Sequence, residues 1–129
     1  MSIIEQLARY LAPRLGMTFE EDVFFGYLPP APAKAVCVYA GEIRPDGDRE
    51  GCRVRVAVRS ARDGAWPVAK AEAVIGAMEG LRDAMLVPGG MVVHRAEVER
   101  GFEFAGMEEN ATQFYTADFR VYACGGGEV

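Results

Sequence analysis

The chain has 129 residues, a formal net charge of −5, half its residues hydrophobic and 26% charged, the balance of a single soluble globular domain. The acidic total argues against a protein whose main task is to neutralise phosphates, because such proteins carry a basic excess. Chemistry-bearing side chains are scarce: one histidine (His94), two serines (Ser2, Ser60) and two lysines (Lys34, Lys70), so catalysis by any of these types has few residues to run through.

The first predicted element is an amphipathic helix, with Ser2 as its N-cap and Ile3, Ile4, Leu7, Leu11 and Leu15 at helical spacing. Pro13 predicts that the regular part ends near Leu11, and Gly16 follows as a stop. A short apolar piece, Val23 to Leu28, leads into Pro29, Pro30 and Pro32, which predict a stiff, extended connector. Val36 to Tyr39 reads as a strand, ended by a polar turn through Pro45, Asp46, Gly47 and Asp48.

Gly51 to Ser60 carries strict period-two alternation. Cys52, Val54, Val56 and Val58 line one face, and Arg53, Arg55, Ala57 and Arg59 the other. An antiparallel hairpin of these two strands is expected. A second helix is predicted from a cap at Asp63 through Val68, Val74, Ile75, Met78 and Leu81 to Met85, ended by Pro88, Gly89 and Gly90. Met91–Glu99 and Phe114–Cys124 are the last strands, separated by a long loop, Arg100 to Gln113, of a length associated with function. The Gly-rich tail, 125–129, is expected to be disordered. The expected fold class is α+β: one domain, 1–124, with two helices packed on one face of a mostly antiparallel four- to five-stranded sheet.

Candidate chemistry is thin. Cys37, Cys52 and Cys124 are an odd number with no CxxC pair, which fits a reducing compartment. Cys37 and Cys52 stand in apolar strand contexts, as small hydrophobes do. Glu97 and Glu99 lie at odd offsets from His94, hence on the other face of a regular strand. Neither serine stands in a GxSxG elbow. Adjacent acids at Glu20-Glu21-Asp22 and Glu108-Glu109 read as solvated loop surface. No metal or cofactor site is expected. Glu5, Arg9 and Arg14 interrupt the first segment, unlike a signal peptide, and no run approaches the ~18 apolar residues of a membrane span.

Two features point instead to a contact surface. Arg53, Arg55 and Arg59 form a basic stripe that pairs with acids on a neighbouring strand, meets acids across a subunit interface or contacts nucleic-acid backbone, and the net charge of −5 ranks the subunit interface above the nucleic acid. Phe24, Phe25, Tyr27 and Leu28, with Phe102 and Phe104, exceed the apolar content that a loop needs, and they either form a contact surface or cover the open end of the sheet.

In order along the chain stand Phe24-Phe25-Gly26-Tyr27-Leu28-Pro29, a valine strand with Tyr39 and Gly41, and Cys52-Arg53-Val54-Arg55-Val56-Ala57-Val58-Arg59-Ser60. An alanine-rich helix through Leu81, Gly106-Met107-Glu108-Glu109-Asn110 and Phe119-Arg120-Val121 follow. This succession, from residue 3 to 124, resembles the phage minor capsid proteins of the tail-terminator or head–tail-joining kind. The resemblance implies a non-catalytic virion protein without cofactors, made in the bacterial host cytoplasm. It implies self-assembly into a ring, often six-fold, that caps the tail tube and docks the head connector. It implies no membrane partner and no sequence-specific nucleic acid binding. A ring contact is heterologous, and Arg53, Arg55 and Arg59 against Glu108 and Glu109 of a neighbour are the expected pairing. An acidic lumen would let DNA pass without sticking. Two alternatives remain beside it: a small host cytosolic α+β protein-binding adaptor, and a metal-dependent hydrolase or nuclease using the loop acids.

Overall fold

The computed structural model describes residues 1–41, 51–60, 65–107 and 112–124. Helices α1 (Ile3–Arg14) and α2 (Ala65–Glu79) accompany six strands. These are β1 (Val23–Phe25), β2 (Ala35–Ala40), β3 (Cys52–Ser60), β4 (Arg82–Met85), β5 (Val92–Met107) and β6 (Gln113–Cys124). They form one sheet in the order β1-β2-β3-β6-β5-β4. Its neighbours are antiparallel except β1 and β2, which run parallel.

Helix α1 starts where Ser2 Oγ accepts the Glu5 N–H at 3.2 Å. It runs to Arg14 with Pro13 inside it, beyond the end expected at Leu11. Pro13 costs one donor there, but the turn closes past it: Met17 N–H reaches Ala12 O at 2.9 Å and Gly16 N–H reaches Pro13 O at 3.2 Å. Gly16 takes φ +67°, the left-handed stop that such a terminus requires.

The expected four- to five-stranded, mostly antiparallel α+β arrangement is corrected by a six-stranded mixed sheet in which strands outweigh the two helices. Three local events account for the difference. Val23–Phe25 joins the sheet edge parallel to β2, with Phe24 opposite Cys37. Helix α2 stops at Glu79, and Arg82–Met85 forms an edge strand on β5 instead of a last helical turn. The two glycines at 76 and 80 weaken the helix there, while strand pairing satisfies the backbone of Arg82 to Met85. Third, Arg100 to Met107 is no loop: β5 continues through it, paired with β6 as far as Met107 opposite Gln113. The turn at Pro45 to Asp48, the cap at Asp63 and the tail at 125–129 lie outside the described residues.

The core lies on the sheet face that carries Val36, Val38, Val54, Val56, Val58, Ala117, Phe119 and Val121, all at most 1% exposed. Leu7 and Leu11 of α1 and Val74 and Met78 of α2 complete the same cluster. A buried amide ties its ends together. Gln6 Nε2 donates to Met1 O at 3.1 Å, and its Oε1 accepts the Met91 N–H at 2.7 Å, so both ends of the Gln6 side chain are satisfied.

Candidate functional site

The second face of the sheet is charged, and the strand register builds it. Along β3 the residues between the buried valines point outward, and Arg55 stands directly opposite Asp118 of β6. Arg53 stands opposite Arg120, a like-charge pair that would repel. Irregularities in β5 bring in the compensating groups. Between Val98, opposite Phe119, and Arg100, opposite Asp118, the extra residue is Glu99. This bulge keeps Arg100 on the outer face, where plain alternation would turn it inward.

The result is two linked clusters. Glu99 accepts from Arg53 Nε at 3.0 Å and from Arg120 Nη2 at 3.1 Å, bridging the two arginines. Asp118 accepts from Arg55 Nε at 2.8 Å and from Arg100 Nε at 3.0 Å. Arg100 also reaches Glu103 at 2.9 Å and the Thr116 hydroxyl at 3.3 Å. The Arg55 hydrogen bond holds the Asp118 carboxyl below the usual aspartate range, with Arg100 adding to it against the cost of burial. Burial pushes Glu99 upward, but its bonds to Arg53 and Arg120 outweigh that and leave it lowered. Asp118 in turn raises Arg55. Asp118, Glu99 and Arg55 are therefore ionised at neutral pH.

An open depression of about 460 Å³ lies beside this lattice, lined by Tyr39, Ala40, Gly41, Arg53, Arg55 and Asp118. Gly41 is required at its edge, since its N–H bonds Arg53 O at 2.7 Å and a Cβ there would lie 2.7 Å from that same oxygen. Burial pushes both the nearby Cys37 thiol and the Tyr39 phenol upward, so each stays protonated. A buried thiol in that state is not an activated nucleophile. Among the described residues no group of three or more His, Cys, Asp or Glu side chains gathers as a metal site. No described helix is long and apolar enough to cross a membrane.

The structure separates the three arginines of the expected stripe. Arg53 and Arg55 lie on the outer face with partners from their own chain. Arg59 is 1% exposed and donates to the Pro32 carbonyl beneath the proline connector. The acids expected to face the stripe, Glu108 and Glu109, lie outside the described residues. Phe25 stacks on Phe19 with ring centroids 6.0 Å apart, and Phe24 is half-buried beside it. Tyr27 is exposed, and Leu28 is half-buried. Phe102 packs against the core, whereas Phe104 is exposed and meets Tyr115 edge-on at 5.8 Å. His94 escapes the apolar phase of β5 through an irregularity between Val93 and Arg95, and pairs on the surface with Asp83 at 2.9 Å.

Sequence reasoning missed Glu99, Arg100, Asp118 and Arg120 as members of this face. The signal for two of them is present, because alternation along Phe114–Cys124 puts Asp118 and Arg120 together. Arg100 had none, since a bulge sets its side.

No protein-family model matches the chain, and no curated protein matches it in sequence. A solved chain from a structure titled "Virion of native gene transfer agent (GTA) particle" shares its fold. The TM-score is 0.55 at 22% identity, over 92% of this chain and 92% of that one.

Proposed function

We propose that this chain is a structural subunit of a phage-like virion. In this reading it assembles with copies of itself as a ring, caps the tail tube and joins it to the head connector. The observation that carries the reading is the fold shared with a chain of the gene transfer agent virion over 92% of each.

The outer face supports the same conclusion by its chemistry. Four arginines and three acids are cross-linked into a lattice that cancels most of its own charge, and each of these four guanidinium groups is engaged by a carboxylate. Such a face can lie beside DNA or protein without capturing either. The exposed aromatics, Tyr27 and Phe104, with Phe24, Phe25, Leu28 and Phe102 behind them, are the proposed contact residues toward neighbouring subunits and tail or head proteins. No cofactor and no catalytic residue enters the proposal.

Deleting the gene and imaging the particles by electron microscopy tests it. The expected result is heads without attached tails and tails of uncontrolled length, restored by supplying the chain in trans. Particles with normal joined tails would overturn the proposal.

A further inference from the structure

Asp118 sits in the middle of the outer face, on β6 between Arg55 of β3 and Arg100 of β5. Its carboxylate takes three N–H donors from the two guanidinium groups. Oδ1 accepts Arg55 Nε at 2.8 Å, while Oδ2 accepts Arg100 Nε at 3.0 Å and Arg55 Nη2 at 3.4 Å. Guanidinium groups converging on the oxygens of one anion recognise phosphate as readily as carboxylate. Here the anion belongs to the chain itself. Glu99 repeats the arrangement between Arg53 and Arg120.

Depth and room favour a phosphate once the carboxylate charge is gone. The Asp118 side chain is 13% exposed, against 50% for Arg55 and 39% for Arg100, so the cations reach solvent and the acid lies deeper. The depression of about 460 Å³ bounded by Arg53, Arg55 and Asp118 is open and large enough for a phosphate group. Arg95, paired with Glu97, and Arg82 opposite it extend the same face toward β4. At 0.1 M salt, charges beyond about 10 Å are screened. The local balance, rather than the total of −5, therefore governs what a polyanion meets there.

We infer that Asp118, with Glu99 as its counterpart, is a built-in phosphate mimic: it fills the place between the arginines that a nucleic-acid phosphate would take, and so keeps a basic sheet face from binding nucleic-acid backbone. The block is a property of the free chain. Its use rests on the virion reading above, in which a subunit beside DNA must let it move past.

Asp118→Asn and Glu99→Gln, alone and together, test the block by fluorescence anisotropy with a labelled random-sequence DNA duplex between 50 and 200 mM salt. The expected result is no saturable binding by the parent, binding by Asp118→Asn, and about tenfold tighter binding by the double variant, the worth of one more charge-assisted contact. The affinity should fall with salt at a log–log slope of about −2 to −4, for as many phosphates contacted. Adding Arg55→Gln to Asp118→Asn should abolish the binding. Glu72→Gln with Glu79→Gln makes the same charge change as the double variant at exposed positions of α2, on the other side of the sheet, and should leave the chain blind to DNA. Binding by the parent as tight as that of the variants would overturn the inference. So would equal binding by the α2 pair, because net charge would then suffice, or a folded Asp118→Asn variant that stays blind. Should the double variant lose its fold, the two single variants decide. Any of these failures leaves the virion reading standing on the particle images, which test it separately.

Discussion

Along β3 two surfaces alternate residue by residue. Val54, Val56 and Val58 are buried against the helices, while Arg53 and Arg55 in the alternate phase are held by Glu99 and Asp118. The strands are common to both faces, so the difference lies in what each side chain meets. One face excludes water and gains from apolar burial, at roughly 25 cal/mol per Å². The other keeps water and gains little from each ion pair. The charged face therefore serves specification more than stability: it fixes which strand lies beside which and cancels most of its own charge.

Substitutions that enlarge or shrink this contrast rank accordingly. The largest effect belongs to Phe119→Ala, at the centre of the buried face with 0% exposure. It should cost about 3–5 kcal/mol of unfolding free energy in urea titration, from lost transfer energy and the cavity left behind. Gly90→Ala comes next, at about 1–3 kcal/mol, because a Cβ there runs into Gln6 Oε1 and Val87. The same substitution breaks the amide latch that holds Met91, so its cost should exceed that of Gly89→Ala in space but not in backbone strain, since Gly89 has open room yet φ +72°. Measuring both separates the two effects.

On the charged face the prominent site is Asp118→Asn. The amide keeps the shape but leaves Arg55 and Arg100 without their shared carboxylate, a loss of about 1–2 kcal/mol at neutral pH. The sign of its pH dependence follows from the lowered native pKa. Folding favours the ionised form, so the stabilisation is complete above the ordinary aspartate range, near about 3.9. It fades as pH falls from there through the lower native value. The parent should thus lose stability across that acid window faster than Asp118→Asn, and the two denaturation midpoints should converge at its lower end. Midpoints that stay parallel would remove Asp118 from the lattice.

The same contrast explains what could be read from the sequence. Period two along Gly51–Ser60 foretells the buried valines and the outward Arg53 and Arg55, because β3 is regular from end to end. The period fails on β5, whose four register shifts bring Arg100 outward and release His94 to Asp83. Bulges leave no compositional mark, and here they decide which charges meet. Arg59 fails for a different reason: it keeps the phase of Arg55, but the connector through Pro32 folds over it, a tertiary event that no spacing encodes. Likewise Phe102 and Phe104 belong to a strand that a run of Gly, Glu and Phe does not announce, because its pairing with β6 supplies what propensity lacks.

The smallest effect tests whether the lattice has a boundary. Arg95 pairs with Glu97 at 3.3 Å, both side chains more than half exposed, and its guanidinium lies 4.3 Å above the Tyr122 ring. No carboxylate shared between two strands holds it, unlike Arg55. Arg95→Ala should therefore change stability by no more than about 0.5 kcal/mol, with that small part carried by the ring contact and insensitive to acid. Urea titrations at low and high salt check this. A salt-dependent loss as large as that of Asp118→Asn would extend the lattice to Arg95 and erase the distinction between a lone surface pair and a bridged carboxylate. A loss near zero at both salt concentrations places the boundary between Glu97 and Glu99, where the bulge after Val98 brings Glu99 and Arg100 onto one face.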